Sequence, residues 1–249
     1  MSRFRFMNIW LDNITMAEAV DRIEELARGN RPAYVVTPNV DHLIRVENDS
    51  VFRDIYEKAD LVLADGQPLI WISKLYKTPI REKISGSDLF PRLCERAAQS
   101  GLKMFFLGAA EGIAALAAQK LQTKYPGLQV CGTYSPPYGF EKDENETTRI
   151  LQLIHQADPD ILILGLGTPK QEKFLKAHLT ELDVPVSLGL GASLDFEAGN
   201  IRRAPAWMSR CGLEWFYRLL KEPRRLFKRY LVDDMKIVWL MFKYWKGRK

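Results

Sequence analysis

The residues best suited to chemistry follow a series of short apolar segments, at the point where each segment ends. These endings are Thr37-Pro-Asn39, Asp65-Gly66, Gly108-Ala-Ala-Glu-Gly112, Gly165-Leu-Gly167-Thr-Pro-Lys-Gln171 and Gly189-Leu-Gly191-Ala-Ser193. Glycine lets a ligand approach the backbone closely, and a helix that begins after such a segment offers unpaired N–H groups to phosphate. A single ending of this kind is ordinary between a strand and a helix, but five predict a pocket for a nucleotide or a nucleotide sugar.

Asp65 is the carboxylate that ends one of these segments. A carboxylate at the end of a strand, in a half-dry cleft, suits a general base that takes a proton from an attacking hydroxyl. The same residue suits an N-cap for a helix that begins near Gly66, and the sequence leaves both roles open. Thr37 and Asn39 are candidates for hydrogen bonds to a bound sugar or diphosphate, with the alternative that Asn39 caps the helix that follows it.

The elements that must position these residues alternate in type along the chain. Apolar runs with strand character are 34–37, 61–64, 104–108, 161–165 and 186–189, and helical spacing marks 15–28, 67–76, 87–99, 111–124, 145–157 and 170–180. Short, continuous apolar runs between helices predict a parallel sheet with both faces covered. We therefore expect an open α/β core over residues 1–200, with its ligand beyond the carboxyl ends of the strands. The 249 residues, 47% hydrophobic and 27% charged, exclude a disordered chain and a disulfide-stapled mini-protein.

Residues 201–249 differ from this core in charge and in pattern. They contain 14 Lys and Arg against four Asp and Glu, a net charge of +10, whereas the first 200 residues carry −5. Four of the six tryptophans also lie here, and the periodicity is helical throughout. A basic, aromatic-rich segment predicts an anionic partner or a membrane surface, with a solvated terminal helix as the alternative. The wide apolar face of residues 235–245 predicts a helix in a membrane interface, or one packed on the body or in a homo-oligomer.

The remaining sequence patterns concern features that we do not expect in this protein, namely disulfides, targeting or membrane-spanning segments, metal ions and cofactors. The three cysteines are far apart, which predicts reduced thiols in a cytoplasmic protein, and neither a signal peptide nor a membrane span is expected. Asp158-Pro-Asp160 precedes its strand and so falls at the wrong edge of the sheet for a metal-diphosphate site, and the histidines have no ligand spacing. We therefore expect no metal and no cofactor. The sequence lacks the Gly-x-Gly-x-x-Gly fingerprint that is expected of a nicotinamide-dependent oxidoreductase. The acidic charge of the first 200 residues disfavours a nucleic-acid binder.

Several motifs carry a resemblance to a known family. They are TPNVDHL (37–43), LADG (63–66), ISGSDL (84–89), GLGTPKQEKF (165–174), GLGASLDFEAGNIRRAPAW (189–207) and GLEWFYRLLKEPRRLFKRY (212–230). Over nearly its whole length the chain resembles the WecG/TagA/CpsF glycosyltransferases. The resemblance implies a Rossmann-like core with a C-terminal helical appendage (201–249) that meets the membrane and completes the site.

The activity implied by the resemblance is inverting, metal-independent transfer of a sugar from a UDP donor to a polyprenyl-diphosphate-linked acceptor sugar. N-acetylmannosamine is the expected sugar, with glucose or a uronic acid as alternatives, and the product would feed a teichoic acid or exopolysaccharide. The implied location is the cytoplasmic face of the cell membrane. Asp65 matches the family's proposed base, and we expect the donor to be bound by Thr37, Asn39, Gly66, Gly108, Tyr138, Gly167 and Gln171. Tyr138 would pack on uracil, and Gln171 would reach the donor sugar from the first turn of its helix.

Cationic side chains must then neutralise the departing diphosphate. Arginine is the natural bidentate partner of phosphate. The candidates for acceptor or diphosphate contact are Lys83, Arg202, Arg203, Arg218, Arg224, Arg225 and Arg229. Lys83 stands where many family members have Arg, so we expect a point charge there in place of a bidentate fork.

Overall fold

The structure is a computed structural model. It describes residues 3–205, 208, 212–221, 223–228, 230 and 233–246, without the side chains of Arg218, Arg225 and Lys246. Its strands are β1 (Arg3–Phe6), β2 (Ile9–Asp12), β3 (Ala33–Val36), β4 (Leu61–Val62), β5 (Lys103–Gly108), β6 (Gln129–Tyr134), β7 (Ile161–Gly165) and β8 (Val186–Gly189). Strands β1 and β2 pair as an antiparallel hairpin. The other six form one parallel sheet in the order β4-β3-β8-β7-β5-β6.

Helices connect the parallel strands. They are α1 (Met16–Ala27), α2 (Val40–Asn48), α3 (Ser50–Lys58), α4 (Gln67–Leu75), α5 (Gly86–Ser100), α6 (Ile113–Lys124), α7 (Glu144–Ala157), α8 (Lys170–Leu182), α9 (Ser193–Ala198), α10 (Glu214–Lys221), α11 (Pro223–Lys228) and α12 (Lys236–Lys246). Local signals account for several of their ends. For example, Thr15 and Glu18 form a capping box at the start of α1, and Gly101 ends α5 in the left-handed conformation.

Both faces of the sheet are buried, which confirms the predicted fold class. Tyr34 and Val36 of β3 pack into a core with α2, α3, α7 and α8, whereas Ala33 and Val35 pack on the other face with α1, α5, α6 and α9. Successive side chains of a strand point to opposite faces, so only a continuous apolar run can fill two cores. Four of the five apolar runs identified in the sequence are therefore the central strands β3, β5, β7 and β8, and the fifth, 61–64, contains the edge strand β4.

The structure adds elements that the sequence pattern did not single out. Strand β6 lies at the edge of the sheet and is mostly half-exposed, so it lacks the continuous apolar run of the central strands. The β1–β2 hairpin alternates exposed and buried residues and turns at Met7, which has a positive φ of 53°. Its buried side packs on the core that contains α2 and α3. A period-two alternation was its signal in the sequence.

The last helix, α12, presents one face to the body and another to the outside. Leu240 is buried in the main core, with Ile237, Met241 and Tyr244 packed against the same cluster. The other face carries exposed apolar side chains, among them Val238, Trp239, Phe242 and Trp245. Packing on the body was one of the alternatives that the sequence offered for this segment, and the structure shows it. The outward apolar face leaves contact with a membrane or with a second copy as predictions. Within the part of the chain that the structure describes, no helix is long and apolar enough to cross a membrane.

Candidate active site

A cleft with a volume of about 690 Å³ opens at the carboxyl ends of β3, β4, β7 and β8. This is the edge where ligands bind to open parallel sheets. The predicted site residues that line the cleft are Thr37, Asn39, Asp65, Gly66, Lys83, Gly167 and Gln171. The C-terminal segment contributes Gly212, Glu214, Trp215, Tyr230, Asp234, Met235 and Ile237 to the same lining. Core and C-terminal segment therefore build one cavity.

Asp65 is held beside the end of β3 by the backbone. Its N–H donates to the carbonyl of Pro38 at 2.9 Å, and two residues earlier the N–H of Leu63 donates to Val36 at 2.9 Å. The pairing of β3 and β4 thus continues beyond the regular strands. This continuation brings Asp65 next to Thr37 and Asn39, and the carboxylate is half-buried. The N-cap of α4 is Gly66, the residue that follows Asp65, with a φ of 97°.

Asn39 has a structural role as well as a place in the cleft. It is the N-cap of α2, and its Oδ1 accepts a hydrogen bond from the N–H of Asp41 at 3.1 Å. The alternative that Asn39 caps this helix is therefore correct. Thr37 is 8% exposed and lies between β3 and this cap.

Gln171 forms part of the floor of the cleft and is 3% exposed. Its Oε1 accepts from the N–H of Gly191 at 3.0 Å, and its Nε2 donates to Oε1 of Glu172 at 2.9 Å. Gly189 leaves room for this side chain, because a Cβ there would lie 2.9 Å from Nε2 of Gln171. Gln171 is therefore buried in the site and fixes the end of β8.

Three residues at the floor of the cleft were not singled out for function from the sequence: His42 and Thr168 line the cleft, and Glu172 is bonded to Gln171. His42 and Glu172 are 5% and 2% exposed, and Thr168 lies between them. The ring Nε2 of His42 lies 2.9 Å from Oγ1 of Thr168 and 3.4 Å from Oε1 of Glu172. The three-residue step from Asn39 to His42 matches capping-box spacing, which was the available signal. Nothing in the sequence distinguished Glu172 from a solvated residue in the first turn of α8.

Hydrogen bonding favours the ionised form of Glu172. Burial opposes ionisation, but the hydrogen bond and the electrostatic interaction with His42, together with the amide of Gln171, hold the pKa of the Glu172 carboxyl below its ordinary value. Its second oxygen, Oε2, is buried and has no hydrogen-bonding partner among the described residues. A buried carboxylate in this state is costly, so packing alone does not account for it.

Lys83 is the one Lys or Arg among the described residues that line the cleft. The N–H of its neighbour Ile84 donates to the carbonyl of Ala64 at 2.8 Å, which holds Lys83 close to the strand end that carries Asp65. Its ammonium lies 3.7 Å from Asp88 and 3.9 Å from Glu214. Lys83 thus joins the core to α10 across the mouth of the cleft.

Three of the predicted arginines lie outside the lining of the cleft and are exposed: Arg202, Arg203 and Arg224. The guanidinium of Arg203 contacts Asp88 and Glu197 at 3.1 Å each, and also donates to the carbonyl of Ser87, which lines the cleft. Arg203 therefore braces the rim through α5. Arg229 and the side chains of Arg218 and Arg225 lie outside the described residues.

Gly108 and Tyr138 lie away from the cleft. Gly108 has a φ of 119°, and a Cβ there would lie 2.6 Å from the carbonyl carbon of Gly165, so glycine is required by the close approach of β5 and β7. Tyr138 is fully exposed, with the ammonium of Lys170 4.5 Å from its ring centre. Neither residue is brought to the cleft in this structure.

The acidic pair Asp158 and Asp160 lies at the opposite edge of the sheet. Asp160 accepts from the N–H of Lys103 at the start of β5, at 2.7 Å, and Asp158 pairs with the ammonium of Lys103 at 2.6 Å. Among the residues described, no group of three or more His, Cys, Asp or Glu side chains is arranged to hold a metal ion. Cys94 and Cys131 are free thiols, and burial raises the pKa of Cys94 well above its usual range.

Comparison with known proteins identifies relatives over nearly the whole chain. The sequence model of the Glycosyl transferase WecG/TagA/CpsF family matches residues 4–249. A protein of Bacillus spizizenii is 34% identical over 196 residues, 79% of this chain and 74% of its own length. One of Bacillus subtilis is 32% identical (90% and 85%), and one of Staphylococcus aureus is 27% identical (88% and 85%). All three are named N-acetylglucosaminyldiphosphoundecaprenol N-acetyl-beta-D-mannosaminyltransferase.

Proposed function

The chain belongs to the WecG/TagA/CpsF family of glycosyl transferases, and we propose that it transfers N-acetylmannosamine from a UDP donor to N-acetylglucosamine carried on undecaprenyl diphosphate. The observation that carries this proposal is the position of Asp65 at the floor of a cleft of about 690 Å³ whose wall includes the C-terminal segment. The named activity of the relatives supports the sugar and the acceptor. Family membership also sets aside the oxidoreductase and nucleic-acid alternatives.

We propose an inverting mechanism in which Asp65 is the general base. The carboxylate takes the proton of the acceptor hydroxyl while that oxygen forms a bond to the anomeric carbon. The bond between the anomeric carbon and the β-phosphate oxygen breaks, and its electron pair leaves with UDP. The half-buried position of Asp65 beside the end of β3 supports this role. Thr37, Asn39, Gly66, Gly167 and Gln171 would hold the donor from the same strand ends.

The leaving diphosphate, in this proposal, is neutralised by side chains and not by a metal ion. Lys83 supports it most directly, because its ammonium lines the cleft near the strand end that carries Asp65. The arginines of the C-terminal segment would add to this charge when donor and acceptor are bound. Residues 201–249 would therefore act as an appendage that completes the site.

We further propose that this appendage lies on the inner face of the cell membrane. The exposed face of α12 has Trp239, Phe242 and Trp245 at 59%, 69% and 52% exposure, respectively. Helix α4 adds the exposed Trp71 and Leu75, and its end is joined to α12 by a contact between Tyr76 and Trp245, with ring centres 5.6 Å apart. Aromatic and basic residues on one side of a protein favour binding to an anionic lipid surface.

A transfer assay tests the proposal. The full-length protein is incubated with N-acetylglucosamine on a lipid diphosphate and, in separate reactions, with UDP-N-acetylmannosamine, UDP-glucose and a UDP-uronic acid, each with and without EDTA. We expect acceptor-dependent release of UDP with the first donor, unchanged by EDTA. A different preferred donor would overturn the assignment of the sugar, and loss of turnover in EDTA would overturn the metal-independent mechanism. A reaction without acceptor controls for simple hydrolysis.

A further inference from the structure

Polar residues at the floor of the cleft form a continuous chain of contacts, in which His42 and Thr168 line the cleft and Glu172 is buried. Nε2 of His42 faces Oγ1 of Thr168 at 2.9 Å, and the Thr168 hydroxyl donates to Oε1 of Glu172 at 3.0 Å. Nε2 is also 3.4 Å from the same carboxylate oxygen. Because the Thr168 hydroxyl already donates its proton to Glu172, it accepts from Nε2, so Nε2 carries a proton and donates it to Oγ1 of Thr168.

The other side of the imidazole ring reaches the end of β3. Nδ1 lies 3.2 Å from the backbone N–H of Asn39 and 2.8 Å from its Oδ1. The ring is held in this orientation by Phe52 and Tyr56, whose ring centres are 6.1 Å and 6.0 Å away. A shift of the His42 ring, through loss of a partner at either nitrogen, would therefore alter its contacts with Asn39.

Glu172 extends the same chain to a third strand end. Its Oε1 accepts from Nε2 of Gln171 at 2.9 Å, and Oε1 of Gln171 accepts from the N–H of Gly191 at 3.0 Å. One carboxylate oxygen thus orients the residues that follow β3, β7 and β8. Glu172 is 2% exposed, and although burial acts to raise it, the pKa of its carboxyl is lowered by the hydrogen bonds that it accepts, so these contacts are formed with little screening by water.

We propose that His42 and Glu172 are positioning residues for the donor, which act by holding Asn39 and Gln171 at a fixed separation across the floor of the cleft. The inference rests on the proposed function, because the donor is taken to be a UDP-sugar. His42 fixes the side of the floor that belongs to β3, and Glu172 fixes the side that belongs to β7 and β8. Neither residue transfers a proton to or from the substrates.

Steady-state kinetics of the full-length protein with UDP-N-acetylmannosamine and a lipid-diphosphate N-acetylglucosamine acceptor test this role. The variants are Glu172→Gln, His42→Gln and the double variant, with Glu95→Gln as the control, because Glu95 is exposed on α5. We expect each single variant to raise KM for the donor about tenfold, the equivalent of one lost hydrogen bond to a charged group. KM for the acceptor should be unchanged, and Glu95→Gln should match wild type.

The double variant separates a coupled pair from two independent sites. Because it leaves no uncompensated charge under the cleft, we expect its donor KM to be no higher than that of the worse single variant. Additive effects, an unchanged donor KM, or equal increases in KM for both substrates would overturn the proposal.

Thr168→Val keeps both His42 and Glu172 and preserves the shape of the Thr168 side chain. It therefore tests the proposal even if Glu172→Gln does not fold. We expect it to raise donor KM because it interrupts the contact between His42 and Glu172. An unaltered donor KM in a folded Thr168→Val protein would overturn the proposal. Failure of wild type to turn over any UDP-sugar would instead contradict the proposed function, so the two failures are distinguishable.

Discussion

The phenol hydroxyl of Tyr76 donates a hydrogen bond to the backbone carbonyl of Met241 at 2.7 Å, although 165 residues separate the two in sequence. Tyr76 directly follows α4, the helix that begins after Asp65 and Gly66. Met241 lies in α12, which contributes to the cleft through Ile237. The helix next to the proposed base and the last helix of the chain are therefore physically joined.

Removal of this hydroxyl should loosen α12 without unfolding the core. In Tyr76→Phe the aromatic ring still packs on Trp245, but the carbonyl of Met241 loses the hydrogen bond from the Tyr76 hydroxyl, which costs about 1 kcal/mol. We expect faster hydrogen exchange across residues 236–246 and unchanged exchange in the central strands. Tyr138→Phe is the control, because that hydroxyl is fully exposed. Unchanged exchange in α12 would mean that the hydrogen bond does not hold the helix.

Glu47 provides a second attachment of α12, and this one depends on pH. Its carboxylate accepts hydrogen bonds from Lys243, from Tyr244 at 2.9 Å and from Asn8 at 3.0 Å. Burial acts to raise the pKa of Glu47, but these hydrogen bonds outweigh it and hold the pKa below the ordinary 4.5. A pKa lowered by folding means that the contribution to stability is complete above about pH 4.5 and is lost as the pH falls through the lower folded value.

We therefore expect α12 of the wild-type protein to loosen as the pH falls below 4.5, as seen by hydrogen exchange of residues 236–246. Glu47→Gln should show a looser helix at neutral pH and little further change on acidification, because glutamine does not titrate. The control is Glu57→Gln, an exposed residue of α3 that should retain the wild-type profile. The same pH dependence in Glu47→Gln as in wild type would exclude Glu47 as the titrating group.

Asp65→Asn tests the proposed base directly. Asparagine keeps the shape of the side chain but has no basic oxygen, and general base catalysis contributes about 10²- to 10⁴-fold to a rate. We expect turnover to fall by a factor in that range while the dissociation constant for UDP, measured by calorimetry, stays the same. Asp183→Asn is a matched control at the exposed end of α8, in a left-handed position that asparagine accepts. Turnover above one tenth of wild type would argue against Asp65 as the base.

Phe242→Ser tests the proposed membrane face. Phe242 is 69% exposed in α12, so its replacement removes apolar surface that would enter the lipid interface and disturbs little packing within the protein. We expect weaker binding to vesicles of phosphatidylglycerol and phosphatidylcholine in a sedimentation assay. Val51→Ser, at 57% exposure on α3, removes apolar surface elsewhere and should bind like wild type. Equal binding of the two variants would contradict the assignment of this face.

The sequence was informative wherever a local pattern has one structural outcome. Continuous apolar runs such as ILILG suit strands with two covered faces, and the structure contains this run as β7, between β8 and β5. The edge strand β6 and the placement of Tyr138 and Gly108 away from the cleft followed no such local rule. The role of Asn39 was open because a cap and a binding residue use the same side chain at the same position.

The sequence by itself determined the α/β class, the family and the strand ends that carry Thr37, Asp65 and Gln171, because these depend on residue order and on hydrophobic period. Only the tertiary structure decided that His42 and Glu172 meet under the cleft. They belong to different helices, and their contact depends on β3 and β7 lying on either side of β8 in the sheet. Burial and hydrogen bonding between distant segments have no periodic signature in the chain, so the packed fold alone assigns these residues their environment.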